Sequence, residues 1–514
     1  MRHRVSLACA EGAGGWNRIG TSCNVPPNPS AWRLGTDRLA PPATIAYALA
    51  LVTPTLAALA GYLLLQFGIG AYVARRLRSE DDYLVAGRSL GWGLGPFTIF
   101  ATWFGAETVI GAAGTVYSEG VGATSAEPFG YALCLLLMGL FFAAPLWRRG
   151  LTTLADLYAQ RYSARVAQLA AIVLIPGSLL WAAAQVRAFG QVLTVAAPEL
   201  DLGIGIGVAA LLTIAYTSLG GMLADAITDL LQGAVLMLSL GVLAWAVTRD
   251  SGGVVAMLDA ARLAHSARPA AEPVSWLALA ETWAIPVCGS VVATELVTRV
   301  ISTRSAGVAR GSALLAAGLY LLVGLIPVAL GLAGPTLLPG LADGEQLLPA
   351  LAAQHLPGVL FVLFAGGLVS AILSTVDTTL LTAGGLLTHN VLAPTFRITE
   401  ERTRLRLARG GVIACGCVAW AIARSADGVF ALVEEASSFG TAGALVTVTF
   451  GLFTRIGGAW AAGTTMIGAL VVYLAATYGG AATPFLASLA SAFVLYVGVS
   501  AIEHARAAPR GATD

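Results

Sequence analysis

The feature that most constrains this chain is the length of its apolar runs. Stretches of about 20 or more mostly hydrophobic residues recur between polar breaks, each long enough to cross a ~30 Å hydrocarbon core as a helix. They fall at roughly 45–74, 91–116, 123–147, 166–195, 203–219, 226–248, 274–298, 311–333, 358–388, 407–424, 428–453, 458–478 and 484–503. Lipid offers backbone polar groups no partner, so such segments must satisfy their own hydrogen bonds as helices. The pattern predicts an all-α integral membrane protein with about 13 transmembrane helices. Only 11% of the residues are charged, against about 25% in soluble domains, which excludes a soluble enzyme or a nucleic-acid-binding protein. All 29 basic residues are arginines, scattered in small groups and forming no polybasic surface. The six cysteines show neither metal-ligand spacing nor a disulfide framework.

Residues 1–43 are polar and rich in Pro and Gly, with no apolar stretch behind the basic start, so they do not form a secretory signal. They read as a disordered tail or an over-extended gene start, followed by a membrane domain at 44–504 and a short tail at 505–514. With the first helix starting outside, nineteen arginines share one set of loops, among them Arg75, Arg148, Arg299, Arg304 and Arg402. The opposite loops hold Arg249, Arg262, Arg268 and Arg424, with Arg187 near a helix end. The positive-inside rule then predicts a multi-pass protein of the cytoplasmic (inner) membrane, its N-terminus outside and its C-terminus in the cytoplasm.

Two helices carry breakers and an acid at membrane depth. The second runs through Trp103, Phe104, Gly105, Ala106, Glu107 and Thr108 to Gly111 and Gly114; the seventh runs through Pro286, Gly289 and Ser290 to Glu295. Interrupted segments at corresponding positions of two halves point to a secondary transporter built from inverted repeats. A carboxylate at the centre of a membrane helix costs about 2.5–3.5 kcal/mol on insertion scales, so Glu107, Asp229, Glu295 and Asp377 each call for a function or a partner. In the ninth helix, six of the ten residues Ser370–Thr379 are hydroxyl or carboxyl side chains. Ala371, Ser374 and Thr375 share a face, and this oxygen-rich surface suits a hard cation such as Na⁺. No His/Cys cluster suggests a transition metal, and no Gly-rich loop suggests a nucleotide.

From about residue 45 to 480 the sequence resembles the sodium:solute symporters. The resemblance rests on Asp81-Asp82-Tyr83-Leu84-Val85-Ala86-Gly87-Arg88, on Gly220-Gly221-Met222 with Thr228-Asp229-Leu230-Leu231-Gln232-Gly233, on Arg299-Val300-Ile301-Ser302, and on Ala371-Ile372-Leu373-Ser374-Thr375-Val376-Asp377. It implies a leucine-transporter-type fold of two inverted five-helix repeats, at about 91–248 and 274–453, followed by two helices at about 458–503. It also implies a sodium site formed by the carbonyls of Ala101, Phe104 and Ala371 and the hydroxyls of Ser374 and Thr375. Asp229 would aid sodium exit, and Asp377 would mark a second cation position. Ala101-Thr102-Trp103, Gly130-Tyr131 and Trp181-Ala182-Ala183-Ala184 resemble the high-affinity choline transporters. Trp103, Tyr131 and Trp181 match three rings of the cage those proteins close around a quaternary ammonium, an arrangement that cation–π attraction favours. A fourth cage tryptophan falls on Ala293, while Glu107 and Glu295 stand where the choline transporters lack acids.

The expected function is therefore Na⁺-coupled import of a small organic solute, cationic or quaternary like choline, held by Trp103, Glu107, Thr108, Tyr131, Trp181 and Glu295. The alternatives are a symporter for an amino acid, sugar or monocarboxylate, or a stand-alone transporter-like sensor or receptor. Some family members are sensors fused to kinase domains, and the dozen or so residues after the last helix are expected to be too few for such a module. The expected partners are the solute and the lipid bilayer, with no nucleic acid, no obligatory protein partner and no enzymatic activity.

Overall fold

The apolar runs fold as helices. The computed structural model describes residues 42–196, 200–268, 274–426 and 428–507, so the expected tails at 1–43 and 505–514 lie almost wholly outside the described residues. Helix α1 is Pro42–Ala74, α2a is Gly95–Trp103 and α2b is Glu107–Glu119. Then follow α3 (Phe129–Arg148), α4 (Ala164–Ala196), α5 (202–220), α6 (222–250), α7 (Trp276–Ile301), α8 (Ala306–Leu337) and α9 (Gly358–Thr395). The last four are α10 (Glu401–Ser425), α11 (Ala431–Phe453), α12 (Ala459–Tyr478) and α13 (Pro484–Arg506). Among the described residues ten helices are long and apolar enough to cross a membrane, or eleven when the bent pair α2a–α2b is one span. Two features separate this number from the thirteen apolar runs. Of α1, a helix of 33 residues, only Ala60–Ala74 counts, as a shorter apolar helix, because most side chains ahead of it lie outside those described. In addition, α5 and α6 hydrogen-bond onward as one helix, Leu202–Asp250, across Gly221.

Gly221 adopts φ 60°, ψ −172°, outside helical space. A Cβ there would lie 2.7 Å from the carbonyl oxygen of Tyr83 and 3.1 Å from its Cα. Tyr83 belongs to a short helix, Glu80–Val85, capped by Ser79 and Asp82, and its hydroxyl donates to the carbonyl of Thr217. The Asp-Asp-Tyr and Gly-Gly motifs of the sequence are thus one packed contact.

Helix α9 lies at the centre. Its nineteen residues from Gly367 to Gly385 are all buried, as in a helix enclosed by other helices on every side. It packs against α5–α6, α4 and α10. Around this core, α2 and α7 are both interrupted: α2 bends by 59° between its halves, and α7 leaves helical structure from Ser290 to Ala293. Their ends meet in an isolated parallel bridge, where Leu90 donates to the carbonyl of Ser302 (3.2 Å) and accepts from the amide of Arg304 (2.9 Å). The indole of Trp147 donates to the carbonyl of Thr303 beside it (2.6 Å).

At the same end, His389 faces Glu80 (2.9 Å) and Asp156 (3.3 Å), and Arg404 pairs with Glu80 (2.8 Å). Burial pushes the Asp156 carboxyl up, but His389 and the amides of Thr152 and Thr153 together hold it below the usual carboxylate range. At the opposite end of α7, the Glu281 carboxylate accepts the amides of Phe485 and Leu486 (2.7 and 2.8 Å), which caps α13 and ties it to α7.

Gly221→Ala should lower stability by about 2 kcal/mol or more, since it combines a forbidden φ with backbone overlap. Gly241→Ala, in α6 with open space where the methyl goes, should change it by less than about 1 kcal/mol. Melting temperatures of the detergent-purified variants give the comparison.

Candidate functional site

A helix that stops inside a membrane protein leaves its last carbonyls without partners. Helix α2a stops at Trp103, and Phe104 leaves helical space at φ −92°, ψ 68°. Helix α9 supplies what is missing. The Ser374 hydroxyl donates to the Ala101 carbonyl (2.6 Å), and the Thr375 hydroxyl donates to the Thr102 carbonyl (3.0 Å). Both hydroxyls also lie within hydrogen-bond distance of the Ala371 carbonyl, at 3.2 and 3.1 Å. Four of the five residues expected to hold sodium (Ala101, Ala371, Ser374 and Thr375) therefore converge on one another. Phe104 sits at the break with its ring between those of Phe100 and Tyr320, and no hydrogen bond from an α9 hydroxyl reaches it among the described residues. The donor set is all oxygen, and a hydroxyl that turns its proton away presents a lone pair, so the cluster has the chemistry of a hard-cation site.

Beside these oxygens lies a buried charge network. Arg299 is fully buried and pairs with Asp225 (2.7 Å) and Asp229 (3.0 Å). Its Nε donates to the Thr102 hydroxyl (2.8 Å), and Arg299 also reaches Thr378, whose own hydroxyl donates to the Ser374 carbonyl (3.0 Å). Asp229 accepts from Thr98, and Asp377 accepts from Thr217 (2.6 Å). Asp225, Asp229 and Asp377 each keep one buried oxygen without a hydrogen-bond partner. A void of about 10 Å³ lies between Asp225 and Asp377. The placement of Arg299 corrects the sequence reading, which counted it among loop arginines. A basic residue at the edge of an apolar run looks interfacial until its partners on another helix are known. Asp225 was missed for the same reason; its spacing of four from Asp229, one face of α6, was the available signal.

The expected solute residues divide into two groups. Trp103 and Trp181 meet edge to face at 5.0 Å. Tyr131 instead packs with Tyr320 (6.4 Å) and shares a hydrogen bond with Ser437 on α11 (3.1 Å). Thr108 is bound to the Tyr320 hydroxyl (2.5 Å), which donates to Glu127 (2.7 Å). Glu107 accepts from Gln185 (2.8 Å), while the other amide atom of Gln185 accepts the N–H of Ala106 at the α2 break. Glu295 accepts from Ser178 and from Thr294 (3.1 Å).

Glu107 and Tyr131 line a cavity of about 380 Å³ that also contains Glu119, Glu127 and Glu434, so four carboxylates face one space. Three of the four were not anticipated, because they come from α2b, the loop ahead of α3, and α11. Burial pushes the Glu127 carboxyl up to about 8, partly offset by its hydrogen bond from Tyr320. Trp181 and Glu295 line a second pocket of about 20 Å³ with Ser437. The Tyr131–Ser437 hydrogen bond therefore stands between the two spaces.

The model of the sodium:solute symporter family matches residues 83–468. Among similar curated proteins, human high affinity choline transporter 1 is 29% identical over 354 residues, covering 64% of this chain and 60% of that protein. The Drosophila melanogaster high-affinity choline transporter 1 is 27% identical, covering 72% and 62%. This chain thus spans less than two thirds of the length of either. The sodium/glucose cotransporter of Vibrio parahaemolyticus is 23% identical, covering 77% and 79%. A structure described as the substrate-bound outward-open state of a Na⁺-coupled sialic acid symporter superposes with a TM-score of 0.75 at 17% identity, over 87% of this chain and 97% of that one. Mhp1, a nucleobase-cation-symport-1 family transporter in a closed conformation, does so at 0.57 and 16%, over 85% and 98%. At these identities the two structures establish a shared transporter fold.

Arg299→Met should cost about 3–5 kcal/mol, because it strands buried carboxylates. Adding Asp225→Asn should recover part of that loss, and a double-mutant cycle on melting temperature reads the coupling.

Proposed function

Because this multi-pass membrane protein belongs to the sodium:solute symporter family, we propose that it imports a small organic cation together with Na⁺ by alternating access, across the cytoplasmic membrane. The observation that carries the cationic reading is the cavity with four carboxylates, Glu107, Glu119, Glu127 and Glu434. As its carboxyls ionise, such a surface concentrates cations and repels anions. The relatives named for choline point the same way.

In this reading the chain crosses the membrane thirteen times, with α1 as a full span and Gly221 as the turn between α5 and α6. The repeats occupy about 91–248 and 274–453, related by inversion, with two helices after them. The arginine-rich loops are cytoplasmic and the N-terminus is outside. The large cavity, flanked by the α2b–α3 loop and the N-terminal halves of α7 and α11, then opens to the outside. Na⁺ binds among Ala101, Phe104, Ala371, Ser374 and Thr375, where it replaces the hydroxyl protons as partner of the carbonyls at the break. Asp377, with Asp225 across the small void, takes a second cation, and Asp229 lies on the exit route. The solute descends past Glu107, Thr108 and Tyr131 to Trp103, Trp181 and Glu295. One Na⁺ moving through 100 mV supplies about 2.3 kcal/mol, enough for roughly 50-fold accumulation of a neutral solute before any sodium gradient is added.

Uptake into liposomes should require an inward Na⁺ gradient and saturate with solute; flux indifferent to that gradient would end the proposal. Ser374→Ala and Thr375→Ala should each raise the Na⁺ concentration for half-maximal uptake roughly tenfold, since each removes an ion ligand. Because Glu127 ionises only near pH 8, affinity for a permanently charged cation should rise between about pH 7 and 9. Glu127→Gln should abolish this rise in an equilibrium binding assay.

A further inference from the structure

The inner pocket around Glu295 is built differently from an aromatic cage. Glu295 is 3% exposed, and among the described residues no basic side chain pairs with it. Its carboxylate is held by the hydroxyls of Ser178 and Thr294, both buried. The Ser290 hydroxyl on the same pocket wall is 1% exposed and has no hydrogen-bond partner. Ala293 leaves the wall short, and the room in the pocket is about 20 Å³. That is room for a single water-sized group.

We propose that this pocket receives an N–H-bearing ammonium head, so that the transported solute is a protonated primary or secondary amine and a fully methylated nitrogen is disfavoured. The inference rests on the reading of the protein as a transporter of organic cations. An ammonium of this kind donates a charge-assisted hydrogen bond to Glu295, and a second N–H reaches the free lone pairs of Ser290. Trp181 offers a ring to the same charge, a contribution suited to an organic cation more than to a tightly hydrated metal ion. A quaternary nitrogen has no N–H to give. Its methyl groups, each needing about the room of one water, exceed the space and leave Glu295 buried without its counter-ion. A site built to hydrogen-bond its ligand rejects an analogue that lacks the donor.

The test uses four compounds on one skeleton: ethanolamine, N-methylethanolamine, N,N-dimethylethanolamine and choline. Their affinities for the purified full-length protein are measured by calorimetry at saturating Na⁺. The expected result is affinity falling along the series, with choline roughly tenfold or more weaker than ethanolamine. Glu295→Gln, nearly isosteric, should weaken ethanolamine roughly tenfold or more and flatten the series, and Ser178→Ala should do the same to a smaller degree. Ligand-free melting temperatures establish that both variants fold. Choline binding as tightly as ethanolamine, or a series unchanged by Glu295→Gln, would overturn the proposal and leave the organic-cation reading standing. A Glu295→Gln variant altered only in its Na⁺ requirement would assign the pocket to the ion and overturn it equally. If none of the four binds, the organic-cation reading fails and the proposal falls with it.

Discussion

A backbone that stops being helical inside a membrane has to find partners for its carbonyls, and most of this architecture follows from how that need is met at α2. The partners come from Ser374 and Thr375 of α9. They can do so only because α9 is enclosed over nineteen residues and held in register against the break. The same hydroxyls that keep the break stable in an apolar setting are oxygen ligands within reach of three carbonyls, those of Ala101, Thr102 and Ala371. A cation entering the proposed site would compete with the hydroxyl protons for those carbonyls. In the proposed sodium site, structural repair and ion recognition would use the same atoms.

The second organising element is electrostatic. Three aspartates and one arginine are deeply buried together, where charges interact strongly and unpaired ones are costly. Arg299 offsets two of the carboxylates and touches Thr102 and Thr378, which border the proposed ion ligands. With all three aspartates ionised the group carries a formal charge of −2, so it favours a nearby cation without direct coordination. The large cavity adds further acidic groups in Glu107, Glu119, Glu127 and Glu434.

Much of this was legible in the residues themselves. Helix positions follow from lipid's demand for apolar length. The α2 break follows from Gly105 beside an acid, and the α9 face from hydroxyls at helical spacing. What was not legible depended on pairing between distant segments. Arg299 looks like a loop residue until Asp225 and Asp229 are seen to reach it from α6. Glu119, Glu127 and Glu434 are unremarkable singly and share one cavity only by convergence. Tyr131 is a cage residue by resemblance, yet packing places it with Tyr320 and Ser437, at the boundary between two spaces.

The bridge between Leu90 and Thr303 has a mechanical meaning. Leu90 stands just ahead of α2a and Thr303 just after α7, so two amide hydrogen bonds clamp the feet of the two interrupted helices together, with Trp147 as a bolt. A tilt of one helix alone would have to strain or break that clamp. The carbonyl end of α2a and the Glu295 pocket of α7 are also joined by direct contact, since Trp181 lines that pocket and meets Trp103 edge to face.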